Sequence, residues 1–163
     1  MKADTYTDYY PSPIGYWLIK ANDVNIVSIG FQREQPQPSA NINKITELAK
    51  TQLEEYFSGI RTTFDLPLGT KDYTSFYQQV WTALQAIPYG QTASYTQIAT
   101  QLQNPKAVRA VGMANGRNPF AIVIPCHRVI GKSQKLTGYA HGLDIKKWLL
   151  EHEGAITVIP TLF

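Results

Sequence analysis

The residues able to do covalent chemistry in this chain gather at one place. Pro125-Cys126-His127-Arg128 holds the only cysteine, followed at once by an imidazole and a guanidinium. A thiol reacts as its thiolate, and adjacent cationic or hydrogen-bonding groups bring a cysteine pKa from about 8.5 down to roughly 3.5–7.5. Cysteine beside histidine therefore has the makings of a nucleophile and its base. The competing reading is a small core residue, because free cysteine is among the most buried side chains. A core thiol needs no such polar company, so a reactive cysteine stands slightly ahead, and the residues alone leave both open.

The cysteine count also excludes chemistries. One cysteine permits no internal disulfide, which fits a cytoplasmic protein, and rules out a cysteine-based zinc site. With His127, His141 and His152 the only histidines, no metal centre is expected. No apolar run approaches the ~20 residues of a membrane span. The opening MKADTYTDYY lacks the apolar segment of a signal peptide. The chain has 163 residues, 44% hydrophobic and 17% charged, enough for one good core or two small lobes.

Charge is unevenly placed. Residues 1–72 carry seven Lys/Arg against nine Asp/Glu, whereas from Tyr73 to Leu143 there is no acidic residue at all. That stretch holds Lys106, Arg109, Arg117, Arg128, Lys132 and Lys135. A long acid-free basic stretch is the footprint of a polyanion-binding surface, although the overall charge of +3 is small.

The elements that must position these residues follow from hydrophobic period and punctuation. Gly15–Ile19 and Val24–Ile29 are rich in β-formers and flank a turn at Ala21-Asn22-Asp23. Gln35-Pro36-Gln37-Pro38-Ser39 reads as a loop. Ile45, Leu48, Ala49, Leu53, Tyr56 and Phe57 recur at helical spacing up to Gly59, and Thr62–Leu66 has the make-up of a returning strand. This half carries no evident chemistry and reads as a scaffold lobe. Phe76, Tyr77, Val80, Trp81 and Leu84 then mark an amphipathic helix closed by Ile87-Pro88-Tyr89-Gly90. Ser94 and Gln97 form a capping box that opens a short helix through Leu102. Asn104-Pro105 is placed to cap a second helix, with Gly116 at its end.

Two short helices joined by a tight turn predict a helix-turn-helix. The second carries Arg109 among small residues, Ala110, Gly112 and Ala114, which would allow close approach to nucleic acid. Phe120–Ile124 predicts a buried strand ended by Pro125. Thr137–Gly142 reads as a glycine-punctuated loop bordering a pocket. A last helix, Asp144 to Glu153, is expected to turn Ile145, Trp148 and Leu149 inward. Glu153 falls at its C-terminus, where the helix dipole disfavours a carboxylate unless a partner compensates.

IPCHRVIG, TGYA and WLLEHEG, with IPYGQTASY, NPKAVRAVG and GRNP upstream, resemble the O6-alkylguanine-DNA alkyltransferases. The resemblance is strong from Tyr73 to Gly154 and weaker over the first 70 residues, where SPIGYWLI and FDLPL fit that family's β lobe. It implies an α+β fold: residues 1–70 a small β-sheet lobe with a helix, residues 71–163 a mainly helical, winged-helix-like domain that binds DNA and accepts the alkyl group. The implied activity is direct-reversal DNA repair. The alkyl group, mainly methyl, would pass irreversibly from O6-alkylguanine, and from O4-alkylthymine, to Cys126.

Residue by residue, the resemblance makes His127 the base acting through a water, Glu153 its orienting partner and Asn118 a hinge. Tyr139, Ala140 and His141 would line the base pocket. Arg109 would fill the stack vacated by the flipped base, and Tyr95 would turn the nucleotide by pressing its 3′ phosphate. Thr96, Asn104, Lys132 and Ala110 would face the DNA. No cofactor is implied, the partner is double-stranded DNA carrying O6-alkylguanine, and the expected state is a monomer. One departure stands out: the family has two glycines after Tyr-Ala or Tyr-Ser, whereas here His141 precedes Gly142. The expected consequence is slower reaction with bulky groups such as benzyl.

Three rivals account for less. Alkyltransferase-like sensors replace the acceptor cysteine, which is present here. A Cys-His hydrolase would place its histidine far away in sequence and leave the acid-free helices unexplained. A purely regulatory helix-turn-helix protein gives Cys126, His127 and Glu153 no task.

Overall fold

Three antiparallel strands open the chain in a meander: β1 (Tyr6–Ser12), β2 (Gly15–Ala21) and β3 (Ile26–Gln32). The computed structural model describes residues 5–38 and 41–157. Ser39, the end of the expected loop, and the first four residues of the N-terminus lie outside these. The β1–β2 turn needs Gly15, whose φ of +143° is glycine territory and where a Cβ would meet the Phe31 ring at 2.6 Å. Asn22 closes the β2–β3 turn, its Oδ1 accepting from the Val24 and Asn25 amides at 2.9 and 2.7 Å. Trp17, Ile19, Ala21, Ile26 and Ile29 are buried, and α1 (Lys44–Phe57) lies against β1 and β2. Ala49, Leu53 and Tyr56 face inward from α1 at helical spacing. Each large apolar side chain so buried contributes about 1.5–3 kcal/mol.

The chain divides into two compact units, Met1–Thr74 with Asn118–Val123, and Ser75–Arg117 with Ile124–Phe163. In the second, α2 (Ser75–Gln85), α3 (Tyr95–Gln101) and α4 (Val108–Gly116) pack on one another, and Trp81 Nε1 donates to the Ala114 carbonyl at 2.9 Å. Two parallel two-residue strands, β4 (Ala93–Ser94) and β5 (Val129–Ile130), and α5 (Leu143–His152) complete it. The capping box is present: Gln97 N donates to Ser94 Oγ at 3.0 Å and Ser94 N to Gln97 Oε1 at 2.7 Å. No helix among the described residues is long and apolar enough to cross a membrane.

Several local expectations are corrected. Residues 62–66 form no strand; Gln52 holds the Asp65 backbone through both amide atoms, and only Leu68 bridges to Ile26. Asn104 caps no helix, because its carbonyl closes a turn onto the Ala107 amide at 3.0 Å and α4 begins after Ala107. Gly116 is the last helical residue and Arg117 the cap. On α5, Lys146 and Leu150 are buried, while Trp148 is half-buried and stacks on His152.

The apolar run 120–124 is buried but is not a strand. Ile29 N donates to Pro119 O at 2.8 Å and Ala121 N to Ile29 O at 3.0 Å, a single bridge. The chain then tightens: Val123 N bonds Ala121 O at 2.8 Å across Ile122, whose φ is +69°. A β-branched residue there is a genuine outlier, held against about 1–3 kcal/mol of local strain by the packing around it.

Candidate active site

The cysteine reaches its position through a second tight turn. Pro125, at φ −81° and ψ 63°, takes the inverse γ conformation, and Cys126 N donates to Ile124 O at 2.8 Å. Cys126, His127 and Arg128 then form one 3-10 turn, all three buried, leading directly into β5. The expected stiff turn at the exit of a buried segment is present, although what precedes it is not a strand.

Glu153 caps the C-terminus of α5, beyond His152, and is buried. Its Oε1 receives His127 Nε2 at 2.7 Å, and Arg128 grips both oxygens, Nε to Oε2 at 2.8 Å and Nη2 to Oε1 at 3.0 Å. Arg128 Nη1 donates to the Ile87 carbonyl at 2.7 Å, and the guanidinium lies 5.7 Å from the Tyr89 ring centre. This is the compensation that a carboxylate at a helix C-terminus requires. Burial alone would raise the Glu153 pKa, but the hydrogen bonds and charges of His127 and Arg128 outweigh it and hold the group at about 2. Arg128 is the permanent cation of the three, so it is the one that keeps Glu153 ionised at neutral pH.

The same geometry fixes the histidine. An ionised carboxylate only accepts, so His127 carries its proton on Nε2. Complete burial lowers the His127 pKa, with the Glu153 bond opposing, and the ring is neutral near pH 7. Nδ1 is buried and has no hydrogen-bond partner among the described residues, which leaves a free lone pair on the ring next in sequence to the thiol. A neutral, oriented imidazole with an unused nitrogen is a general base.

Tyr139 lies in the loop before α5. Its hydroxyl is buried without a partner among the described residues, and its pKa is raised by burial and by the charges of Cys126 and Glu153, so it stays a donor. His141 meets the Tyr139 ring edge-on at 5.3 Å, and burial lowers its pKa. Ala140 beside them is exposed. Tyr95 opens α3 and donates from its hydroxyl to Thr137 O at 3.3 Å; its ring lies 3.9 Å from where a Gly112 side chain would start. Gly112 thus lets α4 approach α3 at this point.

The remaining expected residues are spread along the surface. Arg109 and Ala110 are exposed on α4, Asn104 in the turn before it and Lys132 in the short turn after β5; Thr96 is half-buried. Asn118 is counted with the first unit, where its Oδ1 accepts from Phe120 N at 2.9 Å. Two buried cations escaped the sequence reading: Arg128, noted only as polar company and as one of the basic residues, and Lys146, which was not singled out. For Arg128 the available signal was a buried acid in need of a cation. Among the described residues no three His, Cys, Asp or Glu side chains gather as a metal site.

Two family models match the chain in succession. Residues 5–70 match the 6-O-methylguanine DNA methyltransferase ribonuclease-like domain, and residues 75–155 the 6-O-methylguanine DNA methyltransferase DNA binding domain. A similar protein, the methylated-DNA–protein-cysteine methyltransferase of Methanosarcina acetivorans, is 45% identical over 155 residues, 92% of this chain and 99% of its own. That of Haemophilus influenzae is 44% identical over 154 residues, covering 91% and 86%. Among solved structures, the O6-methylguanine methyltransferase of Mycobacterium tuberculosis gives a TM-score of 0.80 at 41% identity, covering 93% of this chain and 94% of that one. The OGT of the same organism in complex with DNA gives 0.79 at 43% identity, covering 93% and 92%.

Proposed function

The chain belongs to the 6-O-methylguanine DNA methyltransferase family, and from that premise we propose that Cys126 is the acceptor in its direct-reversal repair of alkylated DNA. The activity is that of a methylated-DNA–protein-cysteine methyltransferase. His127 Nδ1 takes the thiol proton through a bridging water. The thiolate attacks the carbon attached to O6 of guanine, a C–S bond forms, the C–O bond breaks, and its electron pair passes to the leaving base. Tyr139 stacks on that base and supplies a hydrogen bond or proton to it. The thioether is stable, so each molecule acts once. Glu153, fixed by Arg128, holds the histidine in the tautomer the step needs.

The observation that carries this reading is the orientation of His127: Nε2 is committed to Glu153 and Nδ1 is left uncommitted. It follows the nucleophile, base and orienter logic of other triads.

The target atom lies within the base stack, so the nucleotide is turned out at a cost of a few kcal/mol. Helices α3 and α4 act as a helix-turn-helix whose exposed Arg109 fills the gap, with Ala110 allowing close approach in the minor groove. Tyr95 presses the 3′ phosphate, and Thr96, Asn104 and Lys132 hold the backbone. Asn118 serves as a hinge before the acceptor segment, Ala140 and His141 shape the alkyl pocket, and O4-alkylthymine is a second substrate. Residues 1–70 are the scaffold and residues 71–163 the working domain of a cytoplasmic monomer. Titration with a duplex bearing labelled O6-methylguanine tests the reading. One equivalent transferred and then no more, with none in Cys126→Ser, is the expected result; turnover, or transfer in Cys126→Ser, overturns it.

A further inference from the structure

Lysine is almost never fully buried unless paired, yet Lys146 on α5 has 0% exposure. It has no carboxylate partner among the described residues; its Nζ instead donates to three backbone carbonyls, Val129 at 2.6 Å, Thr137 at 2.8 Å and Gly138 at 3.3 Å. Three acceptors match the three N–H bonds of an ammonium. One belongs to β5, three residues beyond Cys126, and two belong to the exposed loop that leads into Tyr139. We propose that Lys146 is a positioning residue: its ammonium clamps the Thr137 and Gly138 carbonyls to that of Val129, and so holds the loop bearing Tyr139 in register with the acceptor segment.

The loop has little else to fix it there. Residues 135–141 contain no regular structure and only Leu136, Tyr139 and His141 are even partly buried. Gly131 N donates to the Lys135 carbonyl at 2.8 Å where the loop starts, and the Tyr95 hydroxyl donates to the Thr137 carbonyl already held by Lys146. The ammonium lies within the field of Cys126, and burial lowers its pKa to about 8 with the cysteine charge opposing, so it remains mostly charged at neutral pH. Removing the charge while keeping the stem takes the ammonium from all three carbonyls and leaves Thr137 with only the Tyr95 hydroxyl, and the two on the loop can turn to water.

This inference rests on the functional reading above, and its test separates the two. Lys146→Met keeps the apolar stem and removes the donors. Methyl transfer from saturating O6-methylguanine duplex is expected to slow about 10²-fold, the cost of an ångström-scale misplacement. Carboxamidomethylation of Cys126 by iodoacetamide, which needs the thiol but not the pocket wall, is expected to stay within a few-fold. Amide exchange is expected to quicken at residues 138–142 while α5 stays protected.

Wild-type-like methyl transfer in Lys146→Met overturns the clamp. Equal loss of both reactions with unchanged loop exchange also overturns it, by placing the lysine's effect on the thiol itself. A wild-type protein that takes up no methyl overturns the functional reading and the clamp together. Should Lys146→Met not fold, Gly138→Val attacks the clamp from the loop side, because φ there is +50°. Its expected signature is the same, and unchanged methyl transfer in that variant overturns the proposal.

Discussion

Replacing Glu153 by Gln changes one atom's chemistry at a site where three N–H groups converge. His127 Nε2 and Arg128 Nη2 point at Oε1, and Arg128 Nε at Oε2. A carboxylate accepts all three. A glutamine accepts the first two with its oxygen but turns an NH2 toward Arg128 Nε, donor against donor. It also leaves a buried guanidinium without a counter-charge, and breaking a buried pair costs about 3–5 kcal/mol. For a chain of this size each kcal/mol moves the midpoint by roughly 2–4 °C, so the second unit should melt roughly 6–20 °C lower. The amide oxygen still accepts from Nε2 but brings no charge to stabilise the imidazolium that forms as Nδ1 takes the proton, and the general-base contribution at stake is about 10²–10⁴-fold. The assay is single-turnover methyl transfer at saturating duplex, run below the variant's melting range, beside a thermal melt. A variant that reacts within about threefold of wild type would show that the ring works without a charged partner, against the range expected for a base.

Other outcomes follow from the same residues. Arg109→Ala is expected to lower the transfer rate on paired duplex more than on single-stranded substrate, because only the duplex requires base extrusion; equal losses on both would remove the stack-filling role. His141→Gly is expected to raise the benzyl-to-methyl rate ratio, and an unchanged ratio would detach His141 from pocket shape. Stability should fall with acid in two stages, read from urea midpoints between pH 7 and pH 2. His127 is held below its ordinary 6.5, so the unfolded chain binds the extra proton first and stability declines as pH drops past that value. Glu153, at about 2 against 4.5, gives stability present above 4.5 and lost as pH falls toward 2. His127→Gln should shrink the upper stage to the share of His141, whose pKa burial also lowers, and a wild-type midpoint flat from pH 7 to pH 5 would contradict the burial of neutral rings.

Elements with punctuation were legible in the sequence. The Ser94/Gln97 box and the Ile45-to-Phe57 periodicity each announce a helix through side chains alone. Strand β1 was not, since Tyr6–Ser12 mixes a buried Asp8 and a proline with half-buried tyrosines. The apolar run before Cys126 has a strand's composition, and periodicity cannot distinguish that from buried tight turns; the bonds that decide are backbone to backbone. Lys146 was hidden for the same reason, since its partners are three carbonyls, whereas neighbouring Trp148 had the look of the inward residue. Glu153 was legible as an acid at the wrong end of a helix, but its particular partners entered through the family resemblance, and the grip of Arg128 came from the structure.

The reaction is defined by which atom takes the methyl group. Intact mass after mixing with excess O6-methylguanine duplex, followed by peptide mapping, measures that directly. The expected result is a gain of one methyl per molecule, confined to the peptide containing Cys126 and absent with unmodified duplex. A methyl found on any other residue, or none at all while the duplex is bound, would contradict it.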